Sequence, residues 1–529
     1  MDTVESLFER FEQLNEVGSA LSRERNIQRL LESILVAAKT ITRADGGTLY
    51  LLTPDKKHLR FAIVRTQSLG ISLGGTTGQP ITDKFPDLPL CHADGAPNNN
   101  LVAAYAANTG QTVNIPDAYA AEGFDFTGTR RFDQSTGYRS RSFLTVPLQN
   151  HEADLIGVLQ LLNCTDPVTG QVCAFSPAEQ RLAESLASQA AVAVTNRQLL
   201  QQLEKLFESF IRLINGAIDE KSPYTGGHCE RVPELTMMLA EAVNETTDGP
   251  LADVKFNEKD FYELRIAALL HDCGKITTPV HVVDKATKLE TIFDRIHLVD
   301  TRFSVLRQQA ETAMWRSVAT GQQSQADAQE AFEAHCVQLQ HERAFLRMAN
   351  VGGERMRDED IERVKAVASA HRYTDLDGAS QPLLNDNEIY NLSIRAGTLT
   401  AEECEVINYH IVATIKMLEQ LDWPKELRNV PEYAGGHHER MDGKGYPKGL
   451  KRDEMSWQAR MMGITDIFEA LTANDRPYKK AMTVSQSLKI MDNFKANGHI
   501  DPVLYEVFLS KQVYKRYAQR FLAQEQIDV

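Results

Sequence analysis

The sequence predicts a multidomain protein: an α+β domain first, then a long connecting helix, then an all-α domain carrying an inserted helical hairpin. Three observations carry this. At 529 residues the chain exceeds what a single hydrophobic core supports, so two or three cores are expected. Strand-like apolar runs fall before residue 165, whereas helical periodicity governs almost everything after Leu182. Histidines joined to a second ligand-type residue concentrate in the C-terminal half, as in His271-Asp272 and His437-His438.

Residues 4 to 40 place Leu7, Phe11, Leu14, Leu21, Leu30, Leu31 and Ile34 at helical spacing, after which Gly46-Gly47 opens a strand over Thr48 to Leu52. Pro54-Asp55 turns the chain into a second strand, Leu59 to Val64. Phe143 to Leu148 and Leu155 to Leu162 are β-rich and flank a short charged turn. Helix, strands, irregular middle, strands, helix is the order of an α+β sensory module. From Leu182, apolar residues recur at three- and four-residue steps through Leu186, Ala193, Leu200, Leu203, Phe207, Phe210 and Ile214, with Asn196 the polar exception. That is a heptad seam, which predicts a parallel helix pair and hence a homodimer; the alternative is a long helix packed on its own domain.

Beyond residue 225 the periodicity is helical at Phe261 to His271, Thr400 to Leu421 and Met455 to Thr472. Between about 285 and 395, one stripe (Leu289, Ile292, Ile296, Val299, Phe303, Leu306) and a second (Phe332, Cys336, Leu339, Phe345) flank the polar break Thr320 to Ser324 and predict an antiparallel hairpin. The expected boundaries are an N-terminal helix at 1–17, a sensory domain at 18–180, a connecting dimerisation helix at 181–218 and a catalytic domain at 219–529.

Composition excludes several classes. Fifty-seven basic against 72 acidic residues give a net charge of −15, which repels a nucleic acid in the absence of a basic patch. The seven cysteines form no C-x-x-C pair, which argues against a disulfide framework or a zinc ribbon and for a reducing compartment. No apolar run approaches the roughly 18 residues of a membrane helix, and the acidic opening Met1 to Glu5 is no signal peptide, so a cytoplasmic protein with no membrane partner is expected.

His228, His271, Asp272, His410, His437, His438 and Asp466 are the candidate metal ligands. Neighbours on a helix point about 100° apart, so His271 and Asp272 suit two adjacent ions with the carboxylate bridging. Five neutral imidazoles and two carboxylates leave two divalent ions with net positive charge, available to a hydroxide and a phosphate oxygen. Nitrogen and oxygen donors without thiolate fit Fe, Mn, Ni or Zn. Lys275, four residues after His271, is expected on the same helix face, where an ammonium could meet a phosphate oxygen. Arg476 and Lys479 form a second cationic cluster after Asp466. His281, His297, His335, His341 and His371 lack a matched partner and read as ordinary hydrogen-bonded residues.

Five motifs resemble the HD-GYP subgroup of HD-superfamily phosphohydrolases over roughly 205–520: Pro223 to His228, His271-Asp272-x-Gly274-Lys275, Gly397 to Thr400 before His410, His437-His438-Glu439-x-x-Asp442-Gly443-x-Gly445-Tyr446-Pro447, and Asp466 before Asp475 to Tyr478. The resemblance implies an all-α bundle, a metal centre built from the seven ligands named, Asp272 and Lys275 in catalysis, and substrate contacts from Lys275, Asp442, Gly445, Tyr446, Arg476 and Lys479. It implies hydrolysis of cyclic di-GMP to pGpG or onward to GMP. Tyr224 stands where the three-metal type has Glu, which favours two metals, and the hairpin replaces a short connection. The alternatives are a low-turnover cyclic dinucleotide receptor or interaction module, and a hydrolase of another cyclic dinucleotide such as cyclic GMP-AMP.

Asn114 to Tyr119, Thr136 to Ser142 and Gly157 to Asn163 resemble GAF domains of cyclic-nucleotide phosphodiesterases and cyclases. The resemblance implies cAMP or cGMP as ligand, with Asn163 and Phe175 as the matching site residues. Cys164 stands where Lys is expected, and Glu179-Gln180 where Asp-Glu is.

Overall fold

The computed structural model describes residues 4–24, 26–81, 85–221, 227–353, 355–474 and 481–529. It divides into two compact units, Met1–Phe207 and Glu208–Val529. Arg476 and Lys479, and the run 223–226 that contains Tyr224, lie outside the described residues.

In the first unit, α1 (Val4–Arg23) and α2 (Ile27–Thr42) precede β1 (Ala44–Leu52), β2 (His58–Thr66), β3 (Ile71–Gly74) and β4 (Leu88–Pro89). Then come α3 (Val102–Thr109), β5 (Val113–Ile115), α4 (Thr127–Thr136), β6 (Phe143–Gln149), β7 (Leu155–Thr165) and β8 (Val172–Cys173). The strands form one antiparallel sheet in the order β3-β2-β1-β7-β6-β5, with β4 added to β2 and β8 to β7. Asn26 starts α2 by accepting the N–H groups of Gln28 and Arg29, which would otherwise be unpaired. Leu30, Leu31, Ile34, Leu35 and Ile41 of α2 then pack on Leu49, Ile63, Leu144, Leu159 and Leu161 of one sheet face. Each such burial contributes about 1.5–3 kcal/mol. The period-two alternation turns Tyr50 and Val158 to the other face, against Ala103, Ala104 and Ala106 of α3.

Next runs α5 (Pro177–Lys221), 45 residues long. In its first half the predicted seam packs internally: Leu182 and Leu186 are buried in the core with α1 and α2, and Ala193 rests against it. From Leu199 the helix changes character. Leu199, Leu203, Leu206, Phe210 and Leu213 are 50–68% exposed and recur at alternating four- and three-residue steps. Leu200 (53%) and Ile214 (37%) of the expected seam are exposed as well, whereas Ile211 and Ile218 are buried and Asn215 Nδ2 donates to the Leu269 carbonyl at 2.9 Å.

The second unit continues with α6 (His228–Asn244), α7 (Glu258–Leu270) and α8 (Val280–Val283). Between 285 and 395 lie α9 (Ile296–Ala319), α10 (Gln325–Asn350), α11 (Asp358–Ala370), β9 (Arg372–Thr374), β10 (Ser380–Pro382) and α12 (Asp386–Leu392). The segment is therefore more than the predicted hairpin. The turn does fall at the polar break, where Ser324 caps α10 by accepting the Asp327 N–H, but α11, α12 and a two-stranded ribbon enlarge it. Val299, Phe303, Phe345, Leu346, Val364 and Leu383 give it a core of its own. His371 Nε2 lies 2.6 Å from Glu342 Oε2, a structural pairing as its sequence context implied. The remaining helices are α13 (Ala401–Leu418), α14 (Val430–Gly435), α15 (Trp457–Thr472), α16 (Val484–Ala496), α17 (Pro502–Ser510) and α18 (Val513–Phe521). Among the described residues, no helix is long and apolar enough to cross a membrane.

Candidate metal centre

Five helices of the second unit bring the ligand-type side chains together. His228 opens α6, His271 follows the last residue of α7, His410 lies in α13, His437 and His438 follow α14, and Asp466 is buried on α15. Asp272 begins the tight turn Cys273–Thr277.

Because α7 stops at Leu270, His271 and Asp272 do not project from one helix, nor does Lys275 share a helical face with His271. The break turns both ligands to one point, with His271 Nε2 3.2 Å from Asp272 Oδ2. Gly274 makes this possible. A Cβ there would sit 2.0 Å from the His410 carbonyl oxygen and 2.5 Å from Thr414 N, so only glycine lets the turn dock on α13. The Gly274 N–H donates to Thr414 Oγ1 at 2.9 Å, and Thr414 Oγ1 donates to the His271 carbonyl at 3.2 Å. That docking sets Asp272 beside His410.

Four imidazoles are oriented through Nδ1. His271, His410 and His437 meet the carbonyls of Ala268, Ile407 and Ala434 at 2.7, 2.5 and 2.6 Å, each three residues back. A carbonyl only accepts, so Nδ1 carries a proton and Nε2 is the nitrogen turned into the site, a ligand atom whenever the ring is neutral. His228 Nδ1 pairs instead with Glu469, whose other oxygen accepts from Arg231 Nε at 2.7 Å. Sequence reading missed Glu469; its spacing of three from Asp466 on one helix face was the available signal.

The arrangement fits metal. His410, His437 and His438 offer ligand atoms within 4.8 Å of one another, and so do His228, His271 and Asp466. Asp272 touches both groups: Oδ2 is 3.2 Å from His228 Nε2, and Oδ1 is 3.3 Å from His410 Nε2. His228 Nε2 is also 3.2 Å from Asp466 Oδ1. Ligand atoms bonded at about 2.1 Å to one ion sit roughly 3.0–3.4 Å apart. Asp272 Oδ1, His410 Nε2 and His437 Nε2 are buried without hydrogen-bond partners, a costly arrangement for polar atoms that no cation joins.

Electrostatics separate the two groups. Burial, then the neighbouring His438 and His271, hold His437 well below the usual histidine range, and burial brings His438 down to about 4, so both remain neutral donors. Burial works against charge on Asp272 and Asp466 too, but Lys275, His271 and His228 hold Asp272, and His228, His271 and His437 hold Asp466, well below the usual carboxylate range. Against the opposing effect of burial, Glu469 and then Asp272 and Asp466 raise His228, and Asp272 and Asp466 raise His271 to about 9. The two Nε2 atoms are 3.3 Å apart, so a proton shared with the acids occupies this half when metal does not. Lys275 Nζ lies 2.6 Å from Asp272 Oδ2; burial opposes its charge, which Asp272 and Asp466 restore.

The Gly-Tyr-Pro loop is anchored from below. Glu439, buried, accepts the N–H groups of Lys448 at 2.7 Å and Leu450 at 2.8 Å. Gly445 lies so close to the preceding chain that a Cβ would meet Arg440 N at 2.4 Å. The Tyr446 ring stacks on His438 with centroids 4.9 Å apart, and the Tyr446–Pro447 peptide is cis. Asp442 closes the turn, accepting from Lys444 N at 3.0 Å and Arg440 Nη2 at 2.9 Å.

In the first unit, Asn163 Oδ1 accepts from Arg141 N at 2.7 Å while Nδ2 donates to the Arg139 carbonyl at 2.9 Å, and Phe175 is buried in the core beneath the sheet. Both side chains thus hold the fold. A cavity of about 450 Å³ lined by Asp117, Arg139, Arg141, Gln171 and Val172 lies beside Asn163's backbone partners.

Comparison with known proteins agrees with this division. The family model of the GAF domain matches residues 26–194, and two models of the HD domain match 225–368 and 385–504. The chain is built from a GAF domain followed by an HD domain. A cyclic di-GMP phosphodiesterase of Pseudomonas aeruginosa is 36% identical over 22% of this chain and 27% of its own length. A 3'3'-cGAMP-specific phosphodiesterase of Vibrio cholerae is 38% identical over 20% of this chain and 22% of its own. A dual 3',5'-cyclic-AMP and -GMP phosphodiesterase of Takifugu rubripes is 28% identical over 39% of this chain and 21% of its own. The chain thus spans about a quarter of the length of the curated relatives it matches.

Proposed function

We propose that this protein is a cytoplasmic, metal-dependent phosphodiesterase of the HD-GYP type that hydrolyses cyclic di-GMP to pGpG, GMP or both, under control of its GAF domain. The observation that carries the reading is the position of Asp272, whose two oxygens address separate imidazole groups 3.2 and 3.3 Å away. In this reading His228, His271 and Asp466 would hold one divalent ion and His410, His437 and His438 a second, with Asp272 contributing between them; Fe, Mn, Ni and Zn all suit the donor set. Bound ions would supply Lewis acidity toward a phosphate.

The chain's own residues do the rest. Asp272 fixes the spacing of the two groups. Lys275 stays protonated beside Asp272 Oδ2 and has further N–H donors for a phosphate oxygen, with Arg476 and Lys479 proposed to add others. Tyr446 covers His438 and offers a ring face to a guanine base. Asp442 and Gly445 shape the loop that positions it.

Cyclic GMP-AMP is the second substrate reading, favoured by the Vibrio cholerae relative, 38% identical against 36% for the cyclic di-GMP enzyme. At the GAF domain we propose cAMP or cGMP as ligand. The test is turnover of each cyclic dinucleotide by protein purified without air and analysed for metal, with and without cAMP and cGMP. Cyclic di-GMP should disappear fastest; loss of cyclic GMP-AMP alone would move the substrate, and no turnover of either by loaded protein would favour a receptor.

A further inference from the structure

Away from the metal centre, a pair of thiols in the first unit has chemistry that phosphodiester hydrolysis does not use. Cys164 on β7 and Cys173 on β8 are direct partners in the antiparallel pairing of those strands, and their Sγ atoms are 3.7 Å apart. Opposed residues in an antiparallel pair have Cα atoms about 4.5–5.5 Å apart, inside the range of roughly 4.4–6.8 Å that a disulfide spans. A bond of about 2.05 Å requires the two sulfurs to close from 3.7 Å. Access differs between them: Cys164 is buried and Cys173 is half-buried. Cys164 Sγ also lies 3.4 Å from the Thr42 carbonyl and 3.6 Å from Glu179 Oε2. Glu179 is buried in the first turn of α5, paired with Arg43 and accepting the Ser176 N–H at 2.8 Å.

We propose that Cys164 and Cys173 form a reversible redox site, oxidised by a hydroperoxide and reduced by a small thiol. The half-buried Cys173 reacts first: its thiolate sulfur attacks the peroxide, an S–O bond forms, the O–O bond breaks, and the departing oxygen takes a proton to leave as alcohol or water. Cys164 then attacks the sulfenic sulfur of Cys173. The S–S bond forms as S–O breaks, Glu179 Oε2 receives the Cys164 proton, and the released hydroxide collects it as water. Two thiols and one hydroperoxide thereby give a disulfide, an alcohol or water, and one further water; thiol exchange reverses it. Oxidation also removes the Cys164 S–H that faces Glu179, so the site acts on the anchor of α5.

The full-length protein, treated with a slight excess of hydrogen peroxide, then unfolded and alkylated, tests this. The peptide map should contain Cys164 joined to Cys173, with two of the seven thiols lost to alkylation and recovered after dithiothreitol. In Cys164→Ser, dimedone should trap Cys173 as the sulfenic acid. Recovery of Cys164 and Cys173 as separate alkylated or over-oxidised peptides from the oxidised wild-type protein would overturn the proposal, as would Cys173 refusing dimedone in the variant while Cys91 or Cys404 accepts it.

Discussion

Asp272 Oδ1 stands 3.3 Å from Nε2 of His410, and neither atom has a hydrogen-bond partner. His410 Nδ1 meets the Ile407 carbonyl at 2.5 Å, which turns Nε2 toward the carboxylate in a buried site. A cation between the two buried atoms would satisfy both. The same carboxylate turns its other oxygen to His228 and His271, which makes Asp272 the hinge between two ligand groups.

Glu469→Gln keeps the side-chain volume but removes the charge that orients His228. Metal affinity should fall roughly 10–100-fold, as for other partners of ligating histidines. Competition with a chromophoric chelator measures it, with circular dichroism as the control for folding. Unchanged affinity would mean that helix packing alone orients His228.

Metal loading should release protons. His271 in the metal-free protein titrates at about 9, burial being outweighed by Asp272 and Asp466, so ions compete with a proton below that pH. Calorimetry at neutral pH in buffers of different ionisation enthalpy should detect on the order of one proton released per chain, and affinity should weaken as pH falls. The sign for the metal-free fold is opposite: a raised histidine stabilises it fully below about 6.5 and less as pH climbs through 9. Melting of metal-free protein that is flat from pH 6 to 9.5 would contradict this assignment.

Much of this was legible in the sequence because it is local. Paired ligands, the glycines of the motifs and the strand runs around Leu49 and Leu159 each declare themselves within a few residues. What escaped depends on contacts between distant segments. The end of α7 at Leu270 follows from Gly274 docking on Thr414, 140 residues away. Glu469 reaches His228 across 241 positions. A strand as short as Arg372–Thr374 has too few residues to show a period.

Gly445→Ala forces the loop off Arg440 N, an overpacking change worth about 1–3 kcal/mol. Melting temperature should drop and turnover with it. Tyr446→Phe, which keeps the ring on His438, should retain most of the turnover, whereas Tyr446→Ala should raise KM more than it lowers kcat if the ring face holds a base. Equal behaviour of the Phe and Ala variants would remove the ring from substrate binding.

Dimerisation through the exposed stripe of α5 is tested by Leu206→Asp with Phe210→Asp, both more than half exposed. Sedimentation should show dimer becoming monomer, with a loss of roughly 3 kcal/mol or more in association from two buried apolar side chains. A dimer of undiminished affinity would place the interface elsewhere.

Metal stoichiometry of Asp272→Asn beside wild type, with both proteins purified without air and reconstituted identically, reaches the centre of the account. Wild type should hold two divalent ions per chain and the variant at most one, with turnover of cyclic di-GMP reduced by at least about 10³-fold, beyond the effect of losing an orienting partner. Two ions held by Asp272→Asn as tightly as by wild type would show that Asp272 does not join the two groups.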